Sequence, residues 1–257
     1  MQNLKVILLQ TEQFWEEKQE NLKHFEKKLS AISGSPDLIV LPEMFHTGFS
    51  MNSSKLAETM DGLGMQWLKE QASKYQAAIV ASLIIKENER YFNRMVFVEP
   101  NGDVQHYDKR KLFGLAKEDH YFSAGKSNTI VTYKGWKIAL QVCYDLRFPA
   151  LVNNQLDEQG VPTFDLIIYV ANWPQKRSLH WKTLLQARAI ENQCFVVAVN
   201  RVGSDANDLD YSGDSSVFNA LGDVLAYESG KEALLEVSLT KSSLNEIRSR
   251  LPFLKDK

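Results

Sequence analysis

One stretch restricts the possible folds more than any other: Lys137-Ile138-Ala139-Leu140-Gln141-Val142-Cys143-Tyr144-Asp145-Leu146-Arg147-Phe148-Pro149. It reads as an apolar strand, a sharp corner carrying a cysteine, and the start of a helix. A thiol at the end of a buried strand, with the backbone N–H groups of the next segment beside it, suits a nucleophile and its oxyanion site. Taken alone, the same residue fits a small hydrophobe packed into a core. Its company elsewhere in the chain has to decide between the two.

The neighbouring pattern alternates strands with helices. A short strand over Lys5 to Gln10 precedes a helix over Phe14 to Ile32, whose stripe is Trp15, Leu22, Phe25, Leu29 and Ile32. The continuous apolar run Asp37 to Leu41 reads as a strand buried on both faces, ending in Pro42-Glu43. A loop over Met44 to Asp61 leads to a helix near Gly64 to Tyr75 and a strand over Ala78 to Ile85. Hairpins follow, over Tyr91 to Tyr107 and over Thr129 to Val142. Beyond Cys143 come a helix, a strand (Asp165 to Val170), a helix (Ser178 to Gln193) and a strand (Cys194 to Asn200). A hairpin about Asn219 to Asp223, a strand over Ala233 to Leu239 and a helix over Ser242 to Arg250 close the chain.

Alternation with hairpins predicts an α/β fold of two mixed sheets packed face to face, helices outside. The 257 residues, 44% of them hydrophobic, can bury one sizeable core, and with no linker or short-period repeat the expectation is a single domain over 1–257. Thirty basic residues against thirty-two acidic ones leave a net charge of −2, which argues against a nucleic-acid partner. No apolar run is long enough for a signal peptide or a membrane span, and the two cysteines, Cys143 and Cys194, suggest no pairing. A cytoplasmic protein is expected. Cys194, in the run Cys194 to Val199, reads as packing, and the five histidines lack ligand spacing, so no metal is expected.

Three side chains sit where strands end: Glu43, Lys109 and Cys143. Strand ends are where ligand sites form in α/β sheets. Singly, Glu43 reads as a solvated acid and Lys109 as part of a solvated basic cluster; together, an acid, an ammonium and a thiol are the parts of a hydrolytic site.

Leu41-Pro42-Glu43-Met44-Phe45, Tyr107-Asp108-Lys109-Arg110-Lys111-Leu112-Phe113 and Cys143 to Pro149 resemble the three catalytic motifs of the nitrilase superfamily of carbon–nitrogen hydrolases, over about Leu4 to Phe253. Within it, Tyr169-Val170-Ala171-Asn172-Trp173-Pro174, Arg177, His180-Trp181 and Ala187 to Gln193 are similar to the bacterial omega-amidases. The resemblance implies a four-layer α-β-β-α sandwich, a homodimer paired through helices around Arg147 to Gln155 and Ser178 to Gln193, and no cofactor.

It also implies roles. Cys143 would attack an amide carbonyl, and Glu43 would take the thiol proton and later activate water, which asks for a largely buried site. Lys109 and the backbone N–H of Tyr144 would hold the oxyanion. Glu118 matches the second glutamate of the family, with an exposed loop acid as its alternative. Where many relatives carry a histidine two residues after the lysine, this chain has Lys111.

For a dicarboxylic monoamide such as 2-oxoglutaramate, a cation must meet the free carboxylate. Arg147 and Arg177 are the candidates, Arg147 serving equally well as a structural ion-pair residue. Phe45, Phe49, Tyr144 and Trp173 are the expected pocket walls. Two alternatives stand beside this reading: another amidase of the family, acting on an N-carbamoyl compound or deaminated glutathione, and a non-catalytic binding protein on the same fold.

Overall fold

The computed structural model describes residues 3–257. In chain order the regular elements are β1 (Leu4–Gln10), α1 (Lys18–Leu29), β2 (Leu38–Val40), α2 (Ser53–Leu56), α3 (Leu63–Tyr75), β3 (Ala78–Glu87), β4 (Arg90–Val98), β5 (Val104–Asp108), α4 (Glu118–Tyr121), β6 (Ile130–Tyr133), β7 (Trp136–Val142), β8 (Leu166–Val170), α5 (Ser178–Asn192), β9 (Phe195–Val199), β10 (Val202–Ser204), β11 (Asp210–Phe218), β12 (Val224–Ser229), β13 (Ala233–Leu239) and α6 (Lys241–Arg250).

They form two mixed sheets. The first runs β13-β1-β2-β3-β4-β5, parallel between β1, β2 and β3 and antiparallel elsewhere. The second runs β10-β11-β9-β8-β7-β6, with β12 on β11, and is parallel between β7, β8 and β9. Side chains of a strand alternate between faces, and the core follows that period. Leu4, Val6 and Leu8 of β1 join Val131, Ile138 and Leu140 in one cluster between the sheets. Ile7 and Leu9 face the other way, onto Leu22 and Phe25 of α1 and Trp67 and Leu68 of α3. Trp181 and Leu185 of α5 and Leu244 of α6 cover the second sheet. The layers are the expected α-β-β-α sandwich.

Two local expectations fail. No α-helix forms over Arg147 to Gln155: two 3₁₀ turns, Cys143–Arg147 and Pro149–Leu151, take its place. Pro149 lacks an N–H and drives the preceding residue out of the α region, and Phe148 sits at φ −120°, ψ 87°. The first helix also starts at Lys18 instead of Phe14, because Glu16 takes a left-handed φ of 60° that an α-helix excludes. Trp15, assigned above to the helix stripe, therefore lies before the helix and lines a cavity at the strand ends.

Candidate active site

β2, β5 and β7 all end at the same edge of the sandwich, and each delivers one functional side chain there. Glu43 follows β2, Lys109 follows β5 and Cys143 follows β7. Cys143 has φ 44°, a left-handed backbone that costs a non-glycine residue energy and turns the thiol sharply off the strand end.

Glu43, Lys109 and Glu118 are fully buried and meet at one point. Lys109 Nζ lies 3.0 Å from Glu43 Oε1 and 3.0 Å from Glu118 Oε1. Glu118 is held by the backbone N–H of Phe113, which donates to Oε2 at 2.6 Å, so the exposed-acid alternative falls away. The other Glu43 oxygen, Oε2, accepts the backbone N–H of Asn172 at 2.8 Å, and Asn172 Nδ2 donates to the Glu43 carbonyl at 2.6 Å. Gln13 Nε2 donates to that carbonyl too, at 3.0 Å. Lys109 Nζ also stands 4.9 Å from the centre of the Phe49 ring.

The electrostatics are those of a buried, mutually dependent cluster. Burial pushes the Cys143 thiol well above its ordinary value, and the Glu43 charge adds to that while Lys109 opposes it. A thiol so raised keeps its proton near neutral pH, and attack by its sulfur calls for a base. Burial alone would depress the Lys109 ammonium, but Glu118 and then Glu43 more than offset it, holding the charge firmly in place. Burial raises Glu118 above the ordinary carboxylate range, against the pull of Lys109.

Behind the cysteine, Asp145 accepts three hydrogen bonds: from Val142 N–H at 3.0 Å, Lys111 N–H at 2.8 Å and the Tyr107 hydroxyl at 2.9 Å. Lys111, the departure from the family pattern, uses its backbone for this and rests its ammonium 5.0 Å from the Phe148 ring centre.

The cluster opens into a cavity of about 520 Å³ that reaches Cys143 and is bounded by Phe49, Tyr144, Arg147, Trp173 and Arg177. Arg147 lies 4.7 Å over the Trp173 ring and donates to His180 Nδ1 at 3.1 Å; Arg177 lies 5.4 Å over Phe113. Among the described residues neither arginine forms an ion pair, and Arg147 is held by an aromatic ring and an imidazole in place of the structural ion pair that was its alternative. Phe45 is a correction. Its neighbour Glu43 points into the site, and Phe45 itself points the opposite way, fully buried against Phe25, His46 and Trp67.

Several site residues escaped sequence reasoning: Asn93, Asn172, Asp145, and the cavity residues Trp15 and Tyr211. Asn172 and Asp145 stand inside stretches already singled out, at strand ends, which was the available signal. Asn93 is an asparagine in the middle of β4, where the polar side chain itself was the clue.

The profile of the family described as carbon–nitrogen hydrolase matches residues 5–249. The chain belongs to the carbon–nitrogen hydrolase family. This hydrolase is 43% identical to omega-amidase YafV of Yersinia enterocolitica, over 100% of this chain and 97% of the relative. It is 34% identical to a 2-oxoglutaramate amidase of Bacillus subtilis, over 92% and 91% of the two chains. A crystal structure of a CN-hydrolase superfamily protein from Xanthomonas campestris, with an arsenic adduct in its active site, superposes with a TM-score of 0.98 at 41% identity, covering 100% of this hydrolase and 98% of that chain.

Proposed function

We propose that this hydrolase is an omega-amidase, cleaving the terminal amide of small dicarboxylic acid monoamides such as 2-oxoglutaramate and releasing ammonia. One observation carries the reading: a protonated thiol, a carboxylate and a held ammonium share one buried cluster at the foot of a cavity walled by two arginines that have no carboxylate partner among the described residues. Omega-amidases and 2-oxoglutaramate amidases among the relatives support the same substrate class.

The chemistry follows from the roles. Glu43 takes the Cys143 proton as sulfur attacks the amide carbon. The carbonyl π electrons move to oxygen, and the oxyanion is met by a Lys109 N–H and by the N–H of Tyr144, which sits in the first turn after Cys143, where helical N–H groups lack partners within the turn. Glu43 returns the proton to nitrogen, the carbon–nitrogen bond breaks, ammonia leaves and a thioester remains. Water, giving a proton to Glu43, then attacks the thioester. The carbon–sulfur bond breaks, the acid departs and Cys143 recovers its proton. Glu118 positions Lys109. Arg147 and Arg177 receive the far carboxylate, against Phe49, Tyr144 and Trp173.

The chain acts as one cytoplasmic domain in this reading, since the two sheets share a core and both cysteines are free. It pairs as a homodimer through the outer face of α5, where Leu179 is 71% exposed and Ile190 48%.

The test is ammonia release from 2-oxoglutaramate, succinamate, N-carbamoyl-β-alanine and a simple nitrile, with Cys143→Ala alongside. Turnover is expected only of the two dicarboxylic monoamides and is absent in the variant. Turnover of a different substrate discards the substrate class, and activity surviving in Cys143→Ala discards the mechanism.

A further inference from the structure

Asn93, on β4, is polar and buried, and among the described residues its side chain meets only Glu43, Glu118 and Ser82. Its Nδ2 donates to Glu43 Oε1 at 2.7 Å and reaches Glu118 Oε1 at 3.3 Å. These are the same two oxygens that Lys109 Nζ meets at 3.0 Å each. An uncharged amide and a cation thus bridge one pair of carboxylates side by side. The Asn93 carbonyl also accepts the backbone N–H of Lys109 at 3.0 Å, so one residue touches three of the four groups used in the proposed mechanism.

The orientation of the amide is not free. Both carboxylates need donors, so Nδ2 must face them and Oδ1 must face Ser82 of β3, whose Oγ lies at 2.9 Å. The Met44 N–H already donates to that Oγ at 2.8 Å, so the Ser82 hydroxyl hydrogen goes to Asn93. β3 and β4 pair antiparallel here, with Ser82 opposite Met95 and Asn93 opposite Ile84, which sets the two side chains diagonally on one face.

We infer that Asn93, oriented by Ser82, is a positioning residue for this hydrolase: it shares its amide between Glu43 and Glu118 so that Lys109 does not have to satisfy both alone. An ammonium has three N–H donors, and two are spent on the carboxylates. The third stays available for the substrate oxygen only while the carboxylates are otherwise held apart and satisfied. Without Nδ2, Glu43 Oε1 would depend on Lys109 alone, and the base and the ammonium would both move off their places. This inference rests on the thioester reading above.

The experiment measures kcat and KM for 2-oxoglutaramate, and the rate at which iodoacetamide alkylates Cys143, in wild type, Ser82→Ala, Asn93→Ala and the double variant. Asn93→Ala is expected to lower kcat by about 30- to 100-fold, the scale of a lost hydrogen bond to a charged group, with KM within about threefold. Alkylation should fall with kcat, because the same base takes the thiol proton; a merely structural role would leave it unmoved in a folded variant. Ser82→Ala should cost about fivefold in the wild-type background and nothing further once Asn93 is alanine. Retention of kcat in Asn93→Ala, or an equal Ser82→Ala loss in both backgrounds, overturns the inference. If Asn93→Ala does not fold, Ser82→Ala alone decides it: a lowered kcat at unchanged KM upholds the relay, and an unchanged kcat ends it. Wild-type turnover separates the two levels, since its absence removes the omega-amidase reading itself.

Discussion

The Lys111 backbone N–H donates to the Asp145 carboxylate at 2.8 Å, tying the loop that carries Lys109 to the turn that carries Cys143. The same carboxylate takes the Val142 N–H, one residue before Cys143. Asp145 therefore sets the distance between two strand ends that belong to different sheets.

Its titration is a test of that burial. Burial raises the Asp145 carboxyl to about 6, against an ordinary 3.8, despite Lys109 and three hydrogen bonds. A raised acid holds its proton more tightly folded than unfolded, so its contribution is complete below pH 3.8 and is lost as pH climbs through 6. Asparagine does not titrate. The stability of wild type relative to Asp145→Asn should therefore drop by about 2.5 kcal/mol between pH 4 and 7, measured by urea unfolding, and a difference that stays flat would refute the raised value.

Lys109→Met should cost at least ~100-fold in kcat through the lost oxyanion donor. Two buried carboxylates then face each other without a cation, and the variant should also unfold about 3 kcal/mol more easily. Steady-state kinetics and denaturant midpoints check both; a variant as active and stable as wild type would contradict the buried cluster.

The two arginines make separable predictions. Arg147 is braced by the Trp173 ring and by His180, whereas among the described residues the Arg177 guanidinium meets only the Phe113 ring. Arg147→Met should raise KM for the monoamides by about tenfold or more with little change in kcat, the pattern of lost ground-state binding, and Arg177→Met by less. Equal KM values across all three proteins would remove both from carboxylate binding.

Phe45 should behave as core. Phe45→Ala should lose about 3–5 kcal/mol of stability while the folded protein keeps its KM. A raised KM in the folded variant would put Phe45 back at the substrate.

Much of this architecture is legible locally. The apolar runs through Val40 and Val142 and the hairpin arm that ends at Asp108 mark strand ends, and Glu43, Lys109 and Cys143 stand just beyond them, so strand patterning and three short motifs sufficed to bring a thiol, a carboxyl and an ammonium to one edge. Pro149 carries a local signal against an α-helix after Cys143, since it lacks an N–H and drives Phe148 out of the α region. Which side of a loop a residue takes is a different matter. Glu43 and Phe45 are two apart, yet one enters the site and the other the helix-covered core, because Met44 takes a left-handed φ of 44° between them.

The amino-acid sequence by itself determined the layers, the strand ends and which titratable side chains stand at them, since these depend on hydrophobic period and on chemistry carried by single residues. Only the tertiary structure decided the partners: that Asn93 bridges two glutamates, that Asn172 holds Glu43, and that Asp145 links the Lys109 loop to the Cys143 turn. Those contacts join residues up to 129 positions apart, and their geometry is set by packing two sheets against each other, which no local pattern encodes.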